Sequence, residues 1–417
     1  RYRRLLGDEV FFNTGTDEHG LKIYRAAAAQ EKEPQAYCDE YAAKFRELAA
    51  LLNLDNPTFI RTTDPHHKQA AQIFWQKCLD NGGIYKKVYH VKYCVGCELE
   101  KTDSELEDGR CPIHPKMEIE IIDEENYFFR FSKYQKALLE LYKKYPDFVM
   151  PPHRQNDIKA FVERGLEDFS ISRLKKKMPW GVPVPNDPLH VMYVWFDALI
   201  NYISTLGWPE DENKFKEYWG TTKKPMPIQV AGKDNLRQQS AMWQAMLMSA
   251  GLPNSRQIFI HGFITADGQK MSKSLGNVVN PYDEVACYGV DAVRYYLLGA
   301  IPFNDDGDYS RARFEEYYTA HLANGVGNLT SRIVTMLERY SDGKVPAPKK
   351  IPTDELRTDH LWADYGRYMA EYRFDDVIFK IQSLVATADQ FINKPNHGSW
   401  RRKAMISQAI YIFWLKH

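Results

Sequence analysis

The stretch DEVFFNTGTDEHG, Asp8 to Gly20, decides how the chain folds: a short apolar run breaks into a polar turn rich in Gly, Thr and acid, the pattern of a strand feeding a helix. The helix that follows keeps apolar residues at Tyr41, Phe45, Leu48 and Leu52, a 4-3-4 spacing that predicts one buried face. The next segment, TDPHHKQAAQIFWQKCLDNGG, carries its own punctuation. Asp64 is placed to cap, Pro65 fits the first turn and Gly82 terminates. His66 and His67 fall in that first turn and read as surface residues rather than ligands. These are βα units, and strand–helix alternation returns in HVMYVWFDALINYI, in MPIQVAGKDN with its following helix, and in RQIFIHGFI. Between the two blocks, IYKKVYHVKYC and MEIEIIDEENYFFRF read as the strands of an inserted module. The expected class is α/β, a Rossmann-like open parallel sheet interrupted by an insertion. From about Phe314 the pattern is helical only, with VPAPKKIPTDE as a helix–helix linker.

Composition is compatible with this. The chain has 417 residues, enough for two or three domains, with 44% apolar and 26% charged residues and 55 basic against 55 acidic side chains. No apolar run reaches the length of a membrane span, and RYRRLLGDEV lacks the apolar core of a signal peptide, so a cytoplasmic location is expected. Zero net charge means that any nucleic acid must meet local patches. Neither a G-x-G-x-x-G fingerprint nor a P-loop occurs.

Six cysteines are too few for a disulfide scaffold, but three are grouped: Cys94 and Cys97 in CVGC, then, after thirteen intervening residues, Cys111 with His114 in CPIH. Paired donors two apart can grip one ion from a tight turn. Three thiols and an imidazole without a carboxylate suit tetrahedral zinc, and four filled positions leave no place for water, so the ion is expected to be structural. Cys38, Cys78 and Cys287 lie on apolar faces of predicted helices and are expected in the core.

Three polar segments, GTDEHG, AGKDN and HGF, end at the carboxyl side of predicted strands, where open α/β sheets gather ligands. Just beyond the last lies GQKMSKSLGN, Gly268 to Asn277, with Lys270 and Lys273 three apart. Its KMSKS core is the second signature of class I aminoacyl-tRNA synthetases. With FFNTGTDEHG, CVGC and CPIH, ENYFFRF, DFSISR, PWGVPVP, YVWFDALINY, GKD and GNLTSR, in order and over nearly the whole chain, the sequence resembles the methionyl-tRNA synthetase family.

The resemblance implies ATP-dependent ligation of methionine to tRNA(Met) through methionyl-adenylate. It also implies one structural Zn2+, Mg2+ accompanying ATP, and a monomer. Lys273 is then the lysine that meets the triphosphate as the transition state forms, Lys270 steadies the loop, and Gly268 and Gly276 leave it free to close. Asp17 matches the acidic residue near the methionine α-amino group, and Arg173 matches an arginine that partners this region. Trp195 and Tyr202 match aromatic positions around the thioether, and seven residues along one helix would put both on one side. Gly232 and Asp234 match the ATP ribose site, His261 and Gly262 the adenine site. Asn328 and Arg332 match residues that read the anticodon. The implied organisation is a first catalytic half (1–84), a zinc-bearing insertion (85–188), a second catalytic half (189–265), the KMSKS and stem-contact region (266–313) and an α-helical anticodon-binding bundle (314–417).

Some positions depart from the family. Many members carry an isoleucine after GKD and then a Phe-His pair; this chain reads NLRQQS, placing Gln239 by the methionine side chain with an amide that cannot charge. The family's KPW appears as KPN at Lys394 to Asn396, with Trp400 a candidate substitute. None of the twelve histidines forms the H-x-G-H type motif, so the resemblance implies roughly 25–30 further residues before Arg1 and a longer bundle beyond IFWLKH. Another class I synthetase for a small apolar amino acid, or a non-catalytic tRNA-binding paralogue, are the competing readings.

Overall fold

The computed structural model describes residues 1–55, 57–97, 99–271, 276–345 and 360–393, which fall into two compact units, 1–260 and 261–417. In the first unit the strand Asn13–Thr16 runs parallel to Thr58–Arg61, in register from Asn13 opposite Thr58 to Thr16 opposite Arg61. A parallel pair needs a crossover, and the helices Leu21–Ala28 and Pro34–Leu51 supply it. Gly15 is required at this pairing, because a Cβ there would stand 2.0 Å from the Ile60 carbonyl oxygen. A second sheet orders Ile228–Gly232, Gln257–His261 and Val149–Met150, with the last two parallel.

The core of this unit is aromatic. The helix Pro65–Asp80 buries Ala70, Ala71, Phe74, Trp75 and Cys78 along one stripe. Phe74 stacks on Trp243 at 5.7 Å between centroids, and Phe196 meets Phe74 and Trp75 edge-on. Such pairs add about 0.5–1.5 kcal/mol each beyond the area they bury.

Four local expectations fail here or in the second unit. In Pro34–Leu51 the buried residues are Cys38 and Ala42, while Phe45 is 51% exposed: the helix approaches its neighbours through small side chains, not through the Tyr41–Leu52 stripe. Asp64 stands at the N-cap position but turns its carboxylate to the Arg61 N–H at 3.0 Å instead of capping its own helix. Gly82 does close that helix, at φ +67°. His67 is fully buried, not on the surface, because a partner from residues 197–204 waits above that first turn. Cys287, in the second unit, is exposed.

The insertion is a long antiparallel hairpin, Ile84–Cys94 against Glu120–Phe129, paired from Ile84 opposite Phe129 to Tyr93 opposite Glu120. Leu99–Lys101 and Phe169–Ser170 extend it to four strands. A separate three-stranded sheet, Ser172–Leu174, Asp187–Met192 and Pro183–Val184, leads into residues 194–204.

The second unit opens with Ile264–Ala266 paired to Gln269–Lys270 through Asp267 and Gly268, both at positive φ, a two-residue hairpin of the Asp-Gly type. Gly307–Tyr309 completes the sheet in parallel. Among the described residues the remainder after Tyr309 is helical. Leu329, Ile333 and Leu337 of Asn328–Ser341 pack against Val385, Ala388, Phe391 and Ile392 of Phe374–Asn393. All but Val345 of the VPAPKKIPTDE linker, and KPN with Trp400, lie outside the described residues.

Candidate active site and metal knuckle

The loop after the first parallel strand is held by Glu18. Its buried carboxylate accepts from Thr16 at 2.6 Å, from Arg61 Nε at 2.7 Å and from the Thr63 hydroxyl. Its N–H donates to Thr62 at 2.9 Å, and its carbonyl accepts from Trp180 Nε1 at 2.6 Å. With every polar atom of Glu18 engaged, the loop is rigid, and it presents Asp17 outward as an exposed carboxylate.

His19 turns the other way, into the protein. Its Nδ1–H donates to Asp197 Oδ2 at 2.5 Å, while Asp197 Oδ1 accepts from His67 Nε2 at 2.8 Å and His67 Nδ1 lies 2.9 Å from Ser204 Oγ. Asp197 is completely buried. Burial alone would raise its pKa, but the charge and hydrogen bond of His19 and the contacts from His67 outweigh that and hold the carboxyl below its usual range. Sequence reasoning missed this cluster, although an acid inside the apolar run VWFDAL is a signal of a buried, partnered carboxylate.

Trp195 and Tyr202 do not share one helix. They sit on two short segments, Val194–Ala198 and Asn201–Ser204, separated by a break at Leu199 and Ile200. Both are half-buried. Tyr202 accepts from Gln239 Nε2 at 2.9 Å, and burial pushes its phenol up to about 12. Gln239 is buried on a π-helical turn, Gln238–Met242. Gly232 ends its strand and Asp234 follows in an exposed 3-10 turn. Arg173 is buried, donating to Ser170 Oγ at 2.6 Å and to the Ser172 carbonyl at 2.7 Å, with its guanidinium 4.4 Å from the Tyr193 ring centroid.

In the second unit His261 is exposed at a strand end, its Nδ1 2.7 Å from the Gly262 carbonyl. A Cβ on Gly262 would meet the Asp305 carbonyl at 2.1 Å, so only glycine fits. Lys270 is exposed, its ammonium 5.4 Å from the Phe263 ring centroid. Gly268 is a hairpin turn rather than a hinge: its N–H donates to Asp308 at 2.7 Å, which pins the base of the loop. Lys273 lies outside the described residues. Asn328 is exposed, and Arg332 four residues on pairs with Asp389 and donates to Asn393 at 2.6 Å.

Cys94, Cys97, Cys111 and His114 converge, with their donor atoms within 4.8 Å of one another, and together can hold one metal ion. Cys97 Sγ stands 3.4 Å from Cys111 Sγ and 3.2 Å from His114 Nδ1, and Cys94 Sγ stands 3.8 Å from His114 Nδ1. A tetrahedron of about 2.3 Å arms has edges of about 3.8 Å, so a small inward ion fits with little movement. Backbone N–H groups of His114 and Ile113 point at Cys111 sulfur; with a bond from Cys97 they outweigh burial and lower the Cys111 pKa. Burial and the neighbouring thiols push Cys97 up to about 12, so a bound cation replaces a proton there. Gly96 belongs to the knuckle sterically, because a Cβ would come within 2.6 Å of the His114 ring.

A parallel strand leading to Asp17, a second strand leading to Asp234, and a four-donor knuckle on an inserted hairpin are the arrangement expected of a class I synthetase. The family model described as tRNA synthetases class I (M) matches residues 1–119 and 100–334, and the chain belongs to that family. Within it, the chain is 47% identical to the methionine--tRNA ligase of Thermosynechococcus vestitus, over 99% of this chain and 79% of that protein. It is 48% identical to that of Nostoc sp. over 94% and 75%, and 42% identical to that of Thermotoga maritima over 94% and 62%. The crystal structure of Mycobacterium tuberculosis methionyl-tRNA synthetase bound by methionyl-adenylate superposes with a TM-score of 0.90 at 36% identity, covering 99% of this chain and 82% of that one.

Proposed function

We infer that the protein ligates methionine to tRNA in two steps. The methionine carboxylate attacks the α-phosphorus of ATP, expelling pyrophosphate and giving methionyl-adenylate. A terminal ribose hydroxyl of tRNA(Met) then takes the methionyl group and AMP leaves. The observation that carries this is the match, over nearly the whole chain, to a synthetase holding methionyl-adenylate. Catalysis of the first step is electrostatic, since charge builds on phosphoryl oxygens and no protein nucleophile is needed.

The roles follow the resemblance and suit the placements. Asp17, exposed on a rigid loop, meets the α-ammonium, and Arg173 tunes the field there. Trp195, Tyr202 and Gln239 line the thioether pocket. Gly232 and Asp234 receive the ATP ribose, and His261 with Gly262 the adenine. Lys273 meets the triphosphate, with Mg2+ accompanying ATP, while Lys270 steadies the strand before it. Asn328 and Arg332 read the anticodon. The knuckle ion is zinc, held by three thiolates and His114; with every position taken by protein it stabilises the insertion and takes no part in the chemistry. The domain limits 1–84, 85–188, 189–265, 266–313 and 314–417, a monomeric state and a cytoplasmic location complete the reading. Among the described residues no helix is long and apolar enough to cross a membrane.

ATP–pyrophosphate exchange tests it. Exchange should depend on methionine, and Lys273→Ala should lower its rate roughly 10²–10³-fold with little change in methionine affinity. Lys270→Ala should do less. Exchange driven equally by valine, isoleucine or leucine would point to another class I synthetase, and none with any amino acid to a binding paralogue.

A further inference from the structure

The turn that presents Asp17 is moored on two sides. Glu18 ties it to Arg61, Thr62, Thr63 and Trp180. His19 ties it to a stretch far along the chain, through Nδ1–H to Asp197 Oδ2 at 2.5 Å. The His19 ring is 2% exposed, and its other nitrogen, Nε2, is buried without a hydrogen-bond partner among the described residues. The polar hold on this ring is therefore that one bond, with Trp180 packed beside it at 5.6 Å between centroids.

Asp197 is a firm anchor for that bond. Its other oxygen accepts from His67 Nε2 at 2.8 Å, His67 Nδ1 lies 2.9 Å from Ser204 Oγ, and His66 Nε2 donates to the Ser204 carbonyl at 3.0 Å. The carboxylate is thus fixed to the first turn of the helix Pro65–Asp80 and to the segment Asn201–Ser204. Bonds to a buried charge are short and directional, and a buried network with its partners in place holds geometry more tightly than apolar packing. His19 follows Asp17 by two residues, at most about 7 Å of chain, so a shift of the ring is passed to the Asp17 carboxylate. None of the chemistry assigned to the site uses this pair.

We propose that His19 is a positioning residue for the amino end of the substrate: braced from inside by Asp197, it sets where the Asp17 carboxylate stands and so where the α-ammonium is met. This rests on the reading of Asp17 as the partner of that ammonium. A charge pair weakens with separation and with the water that a loose turn admits, so a carboxylate on a slack turn binds an ammonium less well than one on a braced turn. Loosening His19 should therefore act on recognition of the amino group and leave selection among side chains unchanged.

The test compares two inhibitors of methionine-dependent pyrophosphate exchange on the whole protein: methioninol, which keeps the ammonium, and γ-(methylthio)butyrate, which lacks it. His19→Leu should raise the inhibition constant of methioninol about tenfold, while that of γ-(methylthio)butyrate and the kcat/KM ratio of methionine over norleucine stay within about twofold of wild type. His19→Asn, whose amide N–H can stand where Nδ1–H stood, should restore most of the loss. If His19→Leu fails to fold, His19→Gln, polar but with its amide one bond further out, should still raise the methioninol constant about three- to fivefold. An unchanged methioninol constant in folded His19→Leu or His19→Gln overturns the proposal. So do equal rises for both inhibitors, or a His19→Asn protein as impaired as His19→Leu, either of which would make the ring a packing element. Asp17→Asn checks the reading beneath: if it leaves inhibition by methioninol unchanged, that reading falls and the proposal falls with it, whatever the His19 variants do.

Discussion

The metal knuckle and the Asp197 cluster are both small sets of polar side chains within the first compact unit, and they are stabilised in opposite ways. The knuckle has a thin core, covered on one side: Cys94 and Cys111 are buried and Val95 joins a small cluster with Tyr93 and Phe128, but Ile113 is 54% and Met117 44% exposed. Its four donors face one another, an arrangement that favours a cation. The Asp197 cluster sits under an aromatic core, and its charge is answered from within by two imidazoles, one of which is held in turn by the Ser204 hydroxyl. A site without apolar cover needs an ion to fold, whereas a site with it needs every internal partner to be present.

Removing the ion should therefore give the largest effect, confined to one region. Metal binding to small zinc modules is worth on the order of 10–16 kcal/mol, and the knuckle has little else. If the proposed zinc is held there, chelation, or Cys97→Ser with Cys111→Ser, should remove it and erase hydrogen-exchange protection across residues 94–118. The helix Pro65–Asp80 should keep its protection. Loss of protection in that helix at the same rate would show that the two regions are one cooperative unit, and elemental analysis finding no zinc in native protein would remove the contrast altogether.

This difference also explains what the sequence made legible. The knuckle spans twenty-one residues, Cys94 to His114, and its chemistry is written in local spacing. The parallel strands and the insertion hairpin were legible for the same reason, since periodicity and turn residues are local. The Asp197 cluster joins positions 19, 67, 197 and 204, with partners 130 and 178 residues apart, and no local window contains both histidines and the carboxylate. His67 looked exposed because Asp64 and Pro65 mark a helix start, which says nothing of what covers it. The Trp195–Tyr202 spacing suggested one helix, but the segments part at Leu199 and Ile200, both buried in the core with Phe196 and Ile203. At Cys38 and Ala42, small size decided the packing where hydrophobicity pointed to Phe45.

Asp197→Ala is the second test, smaller but spread through the first unit. It leaves two buried imidazoles without their acceptor, which costs about 3–5 kcal/mol, and zinc content should stay at one. Asp197→Asn keeps one carbonyl acceptor and should cost less. The pH dependence has a definite sign. A carboxyl depressed on folding adds stability that is present above its unfolded value of about 3.9 and is lost as pH falls through the lower folded value. Acid unfolding of the wild type should therefore include this proton uptake, and the Asn variant should show a flatter acid limb. Equal acid limbs would mean that Asp197 is not ionised in the fold.

The smallest effects should come from the cysteines outside the knuckle, and they sharpen the contrast by using the same element. Cys78 is wholly buried, its thiol 3.8 Å from the Met246 carbonyl, and burial pushes it up to about 12, so it stays a thiol and behaves as a small apolar side chain. Cys78→Ser exchanges that thiol for a hydroxyl in the aromatic core, where the Met246 carbonyl can still accept. A cost of about 1–2 kcal/mol is expected, read as a lower denaturant midpoint at unchanged slope. Cys287 is exposed, and Cys287→Ser should lie within about 0.5 kcal/mol of wild type. Neither substitution should change zinc stoichiometry, because neither residue belongs to the group of four converging donors. A fall in bound zinc with Cys78→Ser would mean that the core and the knuckle are coupled through the Ile84–Cys94 strand, which begins four residues after the helix of Cys78 ends. A stability loss with Cys287→Ser equal to that of Cys78→Ser would show that exposure does not rank these thiols, and the contrast between covered and uncovered sites would lose its simplest measure.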